Sequence, residues 1–255
     1  MISHVAEFDL FNLFFSLIIG LAAGFIKGIV GFAMPMILLS GLTFMVSADA
    51  ALAALILPTF FSNIQQSMGN GISSTINSIG RFKMFLSTGG LFLLVGALLT
   101  PYIPSRLFLG ILGCLIVFFS LLQVNGPKFK ILEFNSAASA FFAAFAGFFG
   151  GISGVWGPPV VAYLTALNME KKEQIQIQSV IYGLGAALLL FGHLLSGIFS
   201  WETAPLSAIL VAPALLGVWL GTRVRNHFDH KTFRSVTLLV LLVAGLNLIR
   251  RAWFG

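Results

Sequence analysis

The chain of 255 residues is 58% hydrophobic and only 9% charged, with a mean hydropathy of +1.00. A soluble domain of this size carries roughly a quarter charged residues, so the composition excludes one and requires most of the surface to face lipid. The net charge of +6 does not mark a nucleic-acid binder, because the basic residues sit in short clusters between apolar runs. That spacing is a topology signal rather than a phosphate-tracking face.

In chain order, apolar runs are read at 9–31, 33–47, 49–68, 83–102, 105–124, 135–153, 157–168, 173–199, 202–221 and 232–250. One crossing takes about 20 apolar residues, which leaves room for about eight to ten crossings and none for a soluble domain. The runs are long and apolar on all faces, so they predict helices; barrel strands would alternate over about ten residues. The stretch before the first run is acidic (Glu7, Asp9) and no small-residue cleavage site follows, so that run is read as a retained helix. Cys114 is the single cysteine, which leaves no internal disulfide or zinc site.

Two runs, 33–47 and 157–168, are short for a crossing, and each directly follows a Gly-rich break. The first break reads Gly24-Phe25-Ile26-Lys27-Gly28-Ile29-Val30-Gly31-Phe32-Ala33-Met34-Pro35. The second reads Gly147-Phe148-Phe149-Gly150-Gly151-Ile152-Ser153-Gly154-Val155-Trp156-Gly157-Pro158. At a shift of 123 positions both carry G-F-x-x-G-I-x-G-x-x-x-P, and the shift is close to half the chain. An internal duplication is therefore expected, with membrane repeat 1 at 1–126 and membrane repeat 2 at 127–255 forming one transmembrane domain.

An odd number of crossings per repeat makes the repeats inverted relative to each other. Loops around 69–83, 125–134, 169–173 and 222–234 then share one side and carry Arg81, Lys83, Lys128, Lys130, Lys171, Lys172, Arg223, Arg225, Lys231 and Arg234. The positive-inside rule puts them in the cytoplasm and both termini in the periplasm. Arg250 and Arg251 run against that assignment.

Gly and Pro together stop one helix and start another. Backbone groups freed inside lipid cost several kcal/mol unless they line a cavity or find partners. The half-helices after Pro35 and Pro158 would offer N–H groups and a positive dipole end to an anion. The same glycines match the small-residue spacing that lets membrane helices approach closely, and the two roles can coexist. Lys27, inside the first break, is expensive at membrane depth; it pairs with an anionic substrate or snorkels to the cytoplasmic surface.

The next helix of each repeat is unusually polar, with Pro58, Thr59, Ser62, Asn63, Gln65, Gln66 and Ser67 in one and Gln174, Gln176, Gln178, Ser179 and Tyr182 in the other. Of these, Asn63, Gln66, Gln178 and Ser179 are the expected donors to an oxyanion; interhelical hydrogen bonding is the alternative role. His193 is read as structural or as a proton relay. Asp49 and Glu202 stand at segment starts and are read as helix N-terminal residues. Trp156, Trp201, Trp219 and Trp253 are read as packing or interfacial anchors. No metal-ligand spacing, nucleophile–base set or P-loop points to an enzyme.

At these residues the sequence resembles the sulfite exporter TauE/SafE family of sulfonate-related permeases. The resemblance rests on the duplicated G-F-x-x-G-I-x-G-x-x-x-P signature, the Gln- and Asn-bearing helix after it, and Gly217-Val218-Trp219-Leu220-Gly221-Thr222-Arg223. It covers essentially the whole chain. It implies bacterial inner-membrane transport of small sulfur oxyanions, sulfonates or related organic acids. Phe32-Ala33-Met34 stands where the family has a run of glycines, and this change narrows the expected site.

The expectation is an all-α, multi-pass integral membrane protein of two inverted repeats, each of about five helical segments, with broken helices near mid-membrane. It would be a secondary transporter of a small anion working by alternating access, with a passive channel or a non-transporting scaffold or sensor as the alternatives. The expected substrate-binding residues are Lys27, Gly28, Gly31, Pro35, Asn63, Gln66, Gly151, Ser153, Gly154, Pro158, Gln178 and Ser179. No cofactor, metal or nucleic acid is expected; proton or sodium coupling and homo-oligomerisation are left open.

Overall fold

Ten α-helices of nine residues or more, and no strand, make up the described part of the computed structural model, which covers residues 10–68, 79–125, 135–167, 169, 171–227 and 230–254. They are α1 (Leu10–Val30), α2 (Met34–Leu42), α3 (Ala48–Met68), α4 (Lys83–Leu99), α5 (Ser105–Asn125), α6 (Ser136–Ser153), α7 (Gly157–Ala166), α8 (Lys171–Ser196), α9 (Ala204–Val224) and α10 (His230–Phe254). Lys128, Lys130 and the acidic N-terminal stretch lie outside the described residues.

Among the described residues, seven helices are long and apolar enough to cross a membrane: α1, α4, α5, α6, α9 and α10, and α8 from Gln176. Their outward faces carry Phe14, Leu91, Leu107, Phe141, Leu195 and Leu239, all exposed. In water this surface would drive aggregation; in hydrocarbon it is already in its preferred solvent. The chain is a multi-pass membrane protein. Helix α3 matches the others in length but is not among the seven. Its Thr59, Ser62 and Asn63 lower its hydropathy, yet all three are buried in the protein rather than turned to lipid.

Helices α2 and α7 have nine and ten residues. At 1.5 Å per residue they span about 14 and 15 Å, half the roughly 30 Å hydrocarbon core. Each folds back along the helix before it. A Cβ at Gly41 would meet the side chain of Ile19, and Ser16 lies 3.8 Å from the Met45 sulfur. In the second half Tyr163 packs on Phe142, with ring centroids 5.4 Å apart, and stacks on Phe85 at 5.0 Å. Both short runs thus form half-length helices that turn back along their predecessors.

Helix packing follows the glycines. A Cβ at Gly24 would overlap the Ala214 backbone, and one at Gly28 would overlap Val218 and Gly221, so α1 runs parallel to and in contact with α9. A Cβ at Gly147 would overlap Gly89, and one at Gly151 would overlap Leu93 and approach Ala97, so α6 lies on α4 in the same way. The partners in the two crossings, Gly89 with Ala214 and Leu93 with Val218, stand 125 positions apart. Helices α5 and α10 pair antiparallel, Gly110 against Ala252 and Gly113 against Gly245 and Ile249. Helices α3 and α8 also pack together. The two glycine crossings, α1 on α9 and α6 on α4, are thus built alike.

Candidate functional site

The two helix breaks have the same backbone device. Gly31 has φ 86° and Gly154 has φ 72°, the left-handed region that glycine enters without a Cβ penalty. The Gly31 amide donates to the Lys27 carbonyl and the Gly154 amide to the Gly150 carbonyl, both at 2.7 Å. Three residues later each chain starts a new helix, with Pro35 and Pro158 in its first turn. Proline has no N–H to lose there, so the turn is pre-set at little cost. Ala33 also sits at positive φ, 79°, which costs a non-glycine residue about 1–2 kcal/mol.

The breaks adjoin one another. They line a small cleft, with Lys27, Ala33, Pro35 and Asn63 from one half and Gly154, Trp156, Pro158 and Tyr182 from the other. The first turns of α2 and α7 lie in this wall, and their leading amides have no carbonyl partner within their own helices. The positive dipole ends of both half-helices therefore meet at the cleft.

Lys27 is the charge of the site. Its side chain is only 4% exposed and does not snorkel. Its ammonium donates to Ser62 Oγ at 2.8 Å and to Asn63 Oδ1, both on α3. No carboxylate among the described residues pairs with it; the salt bridge they contain is Arg81–Glu173, at the start of α8. A buried cation held by two neutral oxygens is electrically incomplete.

Of the expected residues, Lys27, Pro35, Asn63, Gly154 and Pro158 line the cleft. Gly31 lies at its edge, where an added Cβ would be 3.9 Å from Gln178 Nε2. Gln178 and Ser179 are buried on α8 without lining the cleft. Ser153 braces the second break: its hydroxyl donates to the Phe149 carbonyl at 2.7 Å and accepts from the Val155 amide at 3.2 Å. Gly28 and Gly151 sit in the α1–α9 and α6–α4 crossings, and Gln66 is half-buried away from the cleft.

Three residues the sequence reading named but did not select complete the site. Ser62 holds Lys27. Tyr182 donates from its hydroxyl to the Gly157 carbonyl at 3.1 Å and fixes the start of α7. Trp156, unlike the exposed Trp201 and Trp253, is buried and walls the cleft. The adjacency of Ser62 to Asn63 was the available signal for the first; the other two had none. His193 is buried outside the cleft, with Nε2 2.9 Å from the Gly151 carbonyl and Nδ1 3.3 Å from Ser196 Oγ. Among the described residues no cluster of His, Cys, Asp and Glu could hold a metal.

The profile of the sulfite exporter TauE/SafE family matches residues 16–248, which include both breaks and every helix that lines the cleft. The chain belongs to the TauE/SafE family. The family's proteins are transporters rather than enzymes, and membership implies a membrane transporter of the sulfite-exporter type. No curated protein and no solved structure matches the chain.

Proposed function

We propose that this TauE/SafE protein is a secondary transporter that moves a small anion across a bacterial inner membrane by alternating access. The substrate class is sulfite, a sulfonate or a related organic acid, bound between the two helix breaks. One observation carries the reading: the Lys27 ammonium is buried at the cleft with Ser62 and Asn63 as partners and no carboxylate among the described residues. Burying an unpaired charge costs several kcal/mol, and an anion in the cleft supplies the missing partner. The amides of the α2 and α7 first turns and the Asn63 amide then complete its coordination.

The inverted-repeat reading is supported by helix direction. Counterparts in the two halves, α5 and α10, run antiparallel, with Gly110 on Ala252 and Gly113 on Ile249. Helices α3 and α8 do the same, since Leu55 and Leu189 meet at Gly154 while Asn63 and Tyr182 reach the cleft. Breaks borne on helices that enter from opposite faces meet inside the bilayer, the arrangement that lets two halves rock about one site. The basic loops are assigned to the cytoplasm and both termini to the periplasm. Arg250 and Arg251 run against this assignment, and the Arg251 guanidinium lies 5.4 Å from the Phe44 ring centroid.

The test is flux in proteoliposomes, with sulfite, methanesulfonate and acetate as probes. Wild-type protein should accumulate at least one of them against its gradient, and an uncoupler should collapse the accumulation. Lys27→Met should lower flux by about two orders of magnitude without unfolding the protein. Flux that only runs down the anion's electrochemical gradient, whatever proton or sodium gradient is imposed, would make the protein a channel. Absence of any anion flux, or full activity in Lys27→Met, would overturn the proposal.

A further inference from the structure

Trp156 lines the anion cleft on one side and a larger cavity on the other. That second space, the roomier of the two, lies between α4, α6, α7 and α8 and is walled by Phe85, Leu93, Ala146, Val160, Ile181 and Leu188, all apolar. The indole is 4% exposed and pinned in place. A Cβ at Gly150 would stand 2.8 Å from the Trp156 Cβ, and one at Gly185 would stand 3.4 Å from its Cε2. The ring occupies this position because residues 150 and 185 carry no side chain. In the first half the residues 123 positions earlier are Lys27 and Ser62, and the one that corresponds to Trp156 is Ala33. The aromatic wall therefore stands on one side of the cleft, where it separates a charged compartment from a ready-made apolar one.

We infer that Trp156 is a specificity-determining residue, which shuts the apolar cavity off from the anion site and so restricts the substrate to an anion without an apolar tail. This rests on the anion site proposed above. With the indole in place, a sulfonate that carries an alkyl chain has nowhere to put it. With the indole shortened, the tail enters a space already lined by Leu, Ile and Val, where each methylene removed from water strengthens binding about fourfold.

The experiment measures inhibition of sulfite flux in proteoliposomes by methane-, butane- and hexanesulfonate, for the wild type and for Trp156→Phe, Trp156→Leu and Trp156→Ala. Wild-type protein should prefer methanesulfonate. The preference should turn toward hexanesulfonate through the series, by at least tenfold in Trp156→Leu. A role in packing alone lowers flux and leaves the length preference unchanged, and that result overturns the inference. So does a wild-type protein that already binds hexanesulfonate more tightly than methanesulfonate, an arm that needs no variant to fold. Failure of the wild type to move sulfite or methanesulfonate sinks the transport reading itself, whereas flux with an unaltered length profile sinks only the wall.

Discussion

The breaks at Gly31 and Gly154 share one backbone and differ in what fills it. Both have a glycine at positive φ, a hydrogen bond to the carbonyl four residues back, and a proline in the next first turn. Around the first, a long charged side chain at Lys27 meets Ser62 and Asn63, and the residue before the new helix is the small Ala33. Around the second, Gly150 and Gly185 leave room, and the bulky Trp156 takes it. Volume is kept in each half while chemistry is not. Backbone geometry is constrained by unsatisfied amides in lipid, which tolerate no alternative; side chains are constrained only by fit, and two fits are present.

The shared part should break most severely. Gly151→Val and Gly28→Val each drive a side chain into the backbone of a neighbouring helix, α4 or α9. Overlap with backbone cannot be relieved by a rotamer change, so each should cost more than the about 1–3 kcal/mol of ordinary overpacking. Size-exclusion of detergent-solubilised protein should show loss of the monodisperse peak in both. A folded, active variant at either position would show that the crossings are looser than drawn.

The asymmetric part should break function before stability. Asn63→Asp sets a carboxylate against the Lys27 ammonium in place of a neutral amide oxygen. The internal ion pair should exclude the substrate and lower flux by about two orders of magnitude, with the melting temperature held or raised. Asn63→Ala removes one tether of Lys27 and one donor, and a loss of about tenfold is expected. Binding that survives Asn63→Asp would detach the cation from the substrate.

Smaller effects are expected farther from the cleft. Gln178→Ala on α8 should weaken flux by a few-fold, and Gln66→Ala, whose side chain is half-buried outside the cleft, by less. The pair measured together sharpens the comparison, since equal large losses would extend the site along both polar helices. The smallest effect belongs to Arg81→Ala, which removes the ion pair to Glu173. Both side chains are more than a third exposed, so the change should be about 0–1 kcal/mol and should fade as salt is added.

Composition and hydrophobic run length alone determined that this chain lives in a bilayer as a helical protein, because no other solvent accommodates so few charges. The two breaks were equally legible, since glycine and proline act on their own backbone within a few residues, and the helices stop and restart where Gly31, Pro35, Gly154 and Pro158 required. That runs 33–47 and 157–168 turn back along α1 and α6 was decided only by tertiary contacts. Which polar residues of α3 reach the cleft was not legible either, because Thr59, Ser62, Asn63 and Gln66 stand at i, i+3, i+4 and i+7 on one face and period alone ranks none of them. Glycine spacing gave Gly28 and Gly151 both a packing and a substrate role; the packing partners, α9 and α4, belong to the other half of the chain and came only from the structure. Trp156 reached the cleft through the gaps left by Gly150 and Gly185, one of them 29 residues away in sequence. Local rules write the breaks into the chain, and only packing between distant segments decides what faces the space between them.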